Sequence, residues 1–146
     1  MTTMTTTITV TTMTTVTSPG ASLHGARILV VEDEMLVSMH LEDVLTEFGC
    51  EVIGPAASIA KAIELASGEQ IDGALLDLNL RGETVYAVAK ILADRGIPFA
   101  FVTGYDAAWI SETYRARPTL QKPIHTVKLG EILSAMLSPT RLIQRS

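Results

Sequence analysis

At 146 residues, 47% of them hydrophobic, the chain has material for one two-sided core and no room for a second folded module. A formal net charge of -5 argues against general binding of polyanions such as DNA. The single cysteine, Cys50, excludes an intramolecular disulfide and fits a reducing cytoplasm, and no apolar run reaches the roughly 20 residues needed to cross a bilayer.

The first 20 residues hold eleven Thr and neither Lys nor Arg, so they lack the charged start and apolar centre of a signal peptide. With so few large apolar groups this stretch can hardly offset its ordering entropy, and residues 1–24 are expected to be a disordered leader. The folded domain is expected over 25–138, with 139–146 a short tail. Arg27 to Val31 reads as a buried strand. Val37, Leu41, Val44, Leu45 and Phe48 then recur at helical spacing, with Gly49 as the stop. A second strand, Glu51 to Ile53, is closed by Gly54-Pro55, and Ser58 caps a helix whose apolar face is Ile59, Ala62, Ile63 and Ala66. Gly73 to Leu78 is a third strand, followed by a polar loop from Asn79 to Glu83 and a helix burying Val85, Val88, Ala89 and Leu92. Ile97 to Val102 is the fourth strand. Asp106 to Arg115 carries only a ragged stripe, one or two helical turns or a mobile loop. Thr119 to Gln121 is a short fifth strand, and Leu129, Ile132, Leu133, Met136 and Leu137 mark a final helix.

Strands alternating with helices imply an α/β fold, a doubly wound five-stranded parallel sheet with helices on both faces. In such sheets the site lies past the strand C-termini where the winding reverses, which for strand order 2-1-3-4-5 falls between the first and third strands. Those two strands run into Glu32-Asp33-Glu34 and Asp77-Leu78-Asn79, while the fourth and fifth run into Thr103 and Lys122-Pro123.

Carboxylates crowded at one sheet edge repel by roughly 4 kcal/mol per pair at about 4 Å and an effective dielectric near 20, and a cation ordinarily offsets that. Glu32, Asp33, Asp77 and a carbonyl such as that of Asn79 form an all-oxygen set suited to Mg²⁺, which retains several waters and favours phosphate as a further ligand. Asp77 is then placed to attack phosphorus, with Lys122 neutralising the phosphoryl oxygens and the Thr103 hydroxyl bonding one of them. The product is an acyl phosphate on Asp77. The chain has no P-loop signature, no His-Glu-x-x-His and no Cys-x-x-Cys, and His24, His40 and His125 form no ligand cluster.

These motifs carry a family resemblance. From about Ala26 to Leu137 the chain resembles the receiver domain of two-component response regulators, whose fold is flavodoxin-like. Val31-Glu32-Asp33-Glu34 matches its acidic pair, Leu76-Asp77-Leu78-Asn79-Leu80 its phosphoacceptor, Thr103 its hydroxyl switch and Lys122-Pro123 its lysine. Pro98 to Tyr105 is similar in part to the FAT-GUY subgroup, with Val102 for the motif's Ala and Asp106 for its final Tyr. The resemblance implies a stand-alone receiver in which Asp77 takes phosphate from a histidine kinase or histidine phosphotransfer protein, Glu32 and Asp33 hold Mg²⁺, and Thr103 and Lys122 read the phosphoryl group. Its only catalysis would be its own phosphorylation and dephosphorylation. Receivers ordinarily place a switch ring three residues before the lysine; Thr119 stands there, which moves the switch role to Tyr105 or the loop after it.

The stretch after Leu137 is too short for a DNA-binding or enzymatic output domain, so output is expected through a downstream protein or onward transfer of phosphate, without DNA binding or membrane insertion. Arg27 to Glu112 has five Lys/Arg against fifteen Asp/Glu, whereas Thr113 to Ser146 has six against one. The basic excess, with Arg115, Arg117, His125 and Lys128, falls on a face that receivers use for partners. Two rivals remain. Asp77-Leu78-Asn79 is similar to the nucleophile strand of haloacid-dehalogenase phosphatases, though Asn79 stands where that family needs a second Asp, and turnover of a generic phosphate ester would favour it. A phosphorylation-independent binding module would take up no phosphate at all.

Overall fold

In the computed structural model, which describes residues 23–104 and 110–137, the apolar runs are strands and the periodic segments helices. The order is β1 (Arg27–Val31), α1 (Met35–Glu47), β2 (Glu51–Ala56), α2 (Ile59–Gly68), β3 (Gly73–Asp77), β4 (Asn79–Leu80), β5 (Glu83–Thr84), α3 (Tyr86–Asp94), β6 (Phe99–Thr103), a 3-10 turn (Glu112–Tyr114), β7 (Thr119–Gln121) and α4 (Thr126–Met136). Five strands pair in parallel in the order β2-β1-β3-β6-β7, the expected 2-1-3-4-5 winding with a small hairpin interposed.

Side chains alternate along a strand, so β1 sends Ile28 and Val30 to one face and Leu29 and Val31 to the other. The first pair packs in a cluster with Leu41, Val44 and Leu45 of α1 and Leu129 and Leu133 of α4. The second packs with Ala62 and Ala66 of α2 and Val88, Ala89 and Leu92 of α3. Burial on both faces explains why the central strands are apolar throughout instead of alternating with polar residues. Phe99 and Phe101 of β6 are fully buried, and truncating such a ring to Ala costs about 3–5 kcal/mol. Around them Tyr86 meets Phe101 edge-on at 6.3 Å and stacks on Tyr114 at 5.4 Å, while the Ser111 amide donates to the Tyr86 hydroxyl at 2.8 Å. These contacts fasten the 3-10 turn onto α3. Of the ragged segment, Ile110 is buried and residues 112–114 make that single turn; Tyr105 and residues 106–109 lie outside the described residues.

Several expectations need correction. β2 does not stop at Gly54-Pro55 but continues to Ala56. Between the pairs Leu29–Ile53 and Val31–Ala56 it has one residue more than β1, a bulge that accommodates a proline without an amide proton. Gly54 takes φ +97, and a Cβ there would stand 3.1 Å from the Val30 carbonyl oxygen, so only glycine fits the bulge. The polar loop after Asp77 is instead an antiparallel hairpin turned by Arg81 at φ 53 and Gly82 at φ 84. Leu23, assigned above to the leader, is fully buried in the α1/α4 cluster, and its carbonyl accepts from Cys50 Sγ at 3.6 Å. Burial, then the charge of Asp72, pushes the Cys50 thiol up to about 11, which makes it an unreactive core residue. Among the described residues no helix is long and apolar enough to cross a membrane.

Candidate functional site

Val31 of β1 is in register with Leu76 of β3, so the next residues, Glu32 and Asp77, stand side by side where both strands end. The Glu32 amide donates to the Ala56 carbonyl at 2.9 Å, which holds the chain against the end of the β2 bulge. Glu32 and Asp77 are buried and Asp33 is half-buried, yet one carboxylate oxygen from each of the three lies within 4.8 Å of the others. Opposite them, the Lys122 amide donates to the Thr103 carbonyl at 2.9 Å, extending the β6/β7 pairing to the lysine. Its ammonium reaches back across the sheet edge, with Nζ 2.6 Å from Glu34 Oε1, 3.2 Å from Glu32 Oε1 and 3.5 Å from Asp77 Oδ2.

This crowding sets the protonation states. Burial, then the adjoining Glu32 carboxyl as hydrogen-bond partner and as charge, pushes Asp77 up to about 7, against the opposing pull of Lys122 and the Asn79 amide. For Lys122, burial favours loss of the proton, but the Glu34 hydrogen bond and the Asp77 and Glu32 charges outweigh it, so its pKa is raised above the ordinary value. The lysine remains charged while Asp77, without a cation, is not fully ionised at neutral pH.

The donor set fits a hard divalent cation. Glu32 Oε1 is buried without a hydrogen-bond partner among the described residues; Lys122 Nζ is its charge neighbour at 3.2 Å but lacks hydrogen-bond geometry. An ion touching that oxygen, Asp33 and Asp77 would relieve both the orphaned acceptor and the mutual repulsion.

Asp33, Asp77, Asn79 and Lys122 line an open pocket of about 490 Å³ together with Glu34, Arg81, Gly82 and Gly104. The Asn79 amide donates to Asp77 Oδ1 at 3.3 Å, and its side-chain oxygen accepts from the Gly82 amide at 3.0 Å, bracing the hairpin turn beside the site. Thr103 is buried at the end of β6, one residue past Val102, the register partner of Asp77. Sequence reasoning thus named Glu32, Asp33, Asp77, Asn79 and Lys122, which the fold brings together, and Tyr105, which lies outside the described residues. It gave no role to Glu34 or Arg81. Adjacency to the acidic pair was the only signal for Glu34, and for Arg81 the neighbouring Gly82 marked a turn without showing where it leads.

Known proteins resemble this chain in sequence and fold. A family model described as the response regulator receiver domain matches residues 28–134. The solution structure of SdrG from Sphingomonas melonis Fr1 is 40% identical, with a TM-score of 0.70, over 77% of this chain and 96% of that one. The BeF3-activated conformation of SdrG, from Pseudomonas melonis Fr1, is 39% identical with a TM-score of 0.66 over the same shares. Transcriptional regulatory protein PdtaR of Mycobacterium tuberculosis is 26% identical over 111 residues, 75% of this chain and 54% of that protein. The chain spans about half the length of the curated relatives it matches, PdtaR among them.

Proposed function

The chain belongs to the response regulator receiver domain family of two-component systems, and from that premise we propose that Asp77 accepts a phosphoryl group and that the domain passes the signal on by protein contact or onward transfer. The observation that carries the reading is the setting of Asp77, a carboxylate pressed between the Glu32/Asp33 pair and the Lys122 ammonium at an open pocket. In the proposed step an Asp77 oxygen attacks the phosphorus of a phosphohistidine on a histidine kinase or phosphotransfer protein. The new P–O bond forms as the P–N bond breaks, and the departing imidazole nitrogen takes up a proton. Lys122 balances charge on the phosphoryl oxygens, and the Thr103 hydroxyl is assigned to one of them. Mg²⁺, held by Glu32, Asp33, Asp77 and Asn79, would neutralise the carboxylates and the incoming oxygens.

SdrG, of which the chain covers 96%, is described in a BeF3-activated conformation, which supports phosphoryl chemistry at the matching site here. The domain is further proposed to act in the cytoplasm, with a downstream protein docking on the basic face of Arg115, Arg117, His125 and Lys128. Tyr105 is proposed to carry the switch, since Thr119 replaces the usual ring. The haloacid-dehalogenase alternative loses ground because Asp77 ends the third strand of the main sheet and Asn79, where a second acid is needed, braces a turn.

Incubation with acetyl phosphate and Mg²⁺ tests the proposal. Intact mass should show one added PO₃H on the wild type and none on Asp77→Asn. An unmodified wild type, or steady turnover of a generic phosphate ester, would refute it.

A further inference from the structure

Lys122 has three carboxylate neighbours, and the shortest contact is not with the buried acids but with Glu34, at 2.6 Å against 3.2 Å for Glu32 and 3.5 Å for Asp77. Glu34 is the N-cap residue of α1, where a side-chain oxygen ordinarily accepts from the first helical amides, yet it makes no such bond. Its backbone is fixed at both ends: the amide donates to Glu32 Oε2 at 3.0 Å, and the carbonyl accepts from the Ser38 amide at 3.0 Å. The carboxylate itself is 60% exposed and lines the pocket. A fixed backbone with an exposed acid turned from its helix to the lysine describes a holder that can let go.

We propose that Glu34 is a positioning residue that parks the Lys122 ammonium at the pocket mouth and must yield it when a phosphoryl group enters. The idea rests on the Asp77 phosphoacceptor reading and adds a determinant of how readily the site fills. An exposed ion pair is weak, so a phosphoryl dianion can displace Glu34, while the buried Glu32 contact keeps the lysine over the site. Glu34 then competes with every anionic donor for one cation.

Beryllofluoride, a phosphoryl mimic, is the probe, titrated in Mg²⁺ into the wild type, Glu34→Gln and Glu34→Asp. Glu34→Gln should lower the half-saturating concentration on the order of two- to fivefold, the range an exposed pair supports. Glu34→Asp retains the charge but is one methylene shorter, so it should follow Gln if reach to Lys122 matters. In metal-free protein, proton exchange at the ¹⁵N-labelled Lys122 ammonium should speed up in both variants. An unchanged half-saturation in Glu34→Gln, an Asp variant that matches the wild type, or a parallel loss of Mg²⁺ affinity would each overturn the proposal. Failure of the wild type to gain a PO₃H adduct would instead sink the phosphoacceptor reading, leaving the lysine exchange to decide the parking contact.

Discussion

β3 has a buried aspartate at each end, and the two are treated differently. Asp72, just before the strand, accepts from the Arg27 amide at 2.8 Å and donates its own amide to the Arg27 carbonyl at 2.8 Å. The Arg27 guanidinium is spread over the Gln70 carbonyl, Glu51 and Glu69 at 2.6, 2.8 and 3.3 Å. Asp77, closing the strand, has a 3.3 Å bond from Asn79, a second buried acid beside it and a lysine 3.5 Å away that Glu34 holds closer. Polar groups where β3 begins, at the lower edge of the sheet, complete one another. Where it ends, at the upper edge, two buried acids share one lysine and Glu32 Oε1 has no hydrogen-bond partner among the described residues. Buried charge is therefore evidence of function only where it remains uncompensated.

The strongest test of that contrast is pH. Asp77 is raised from 3.8 to about 7, so the folded protein keeps a proton that the unfolded chain has lost. The contribution is fully present below about pH 4, is lost as pH rises through 7 and then levels off. In EDTA the wild type should lose stability relative to Asp77→Asn across that window, by up to about 4 kcal/mol, and excess Mg²⁺ should close the gap. Urea midpoints would read it, and parallel curves for the two proteins would erase the distinction between the two edges. Asp72→Ala should move the other way, costing about 1–2 kcal/mol at neutral pH, because it leaves the half-buried Arg27 amide without this acceptor. A stabilised Asp72→Ala would mean that the lower edge is strained too. Asp33→Ala should weaken Mg²⁺ binding on the order of tenfold by calorimetry, with Asp72→Ala leaving it unchanged. Smallest of all, Glu51→Gln removes one exposed partner of Arg27 and should cost under about 0.5 kcal/mol in the same urea assay.

The sheet order and the upper edge were legible because β1, β3 and β6 carry uninterrupted apolar runs that lead into Glu32, Asp77 and Thr103. The side chains that escaped notice depend on contacts that leave no local trace. Lys122 and Glu34 are 88 positions apart, so nothing near either residue announces their pairing. Gly54-Pro55 looks like a stop, and it took the extra residue of a bulge to carry β2 through. Leu23 comes after a stretch without periodicity, and one leucine gives no pattern from which to infer burial. The hairpin was hidden because Arg81 adopts a positive φ that ordinary side chains avoid.

Leu23 has a further consequence for how the domain can be joined to other things. Its carbonyl is tied to Cys50, and the Gly25 amide to the Gly49 carbonyl, both at the end of the sheet where the strands begin. Leu137 comes to the same end, close enough that a Cβ on Gly73 would touch it at 3.0 Å. The pocket lies past the opposite end, a strand length of about 16 Å away at roughly 3.3 Å per residue. A surface tether or a grafted domain attached at either described end thus enters from beneath and leaves the mouth of the pocket facing outward.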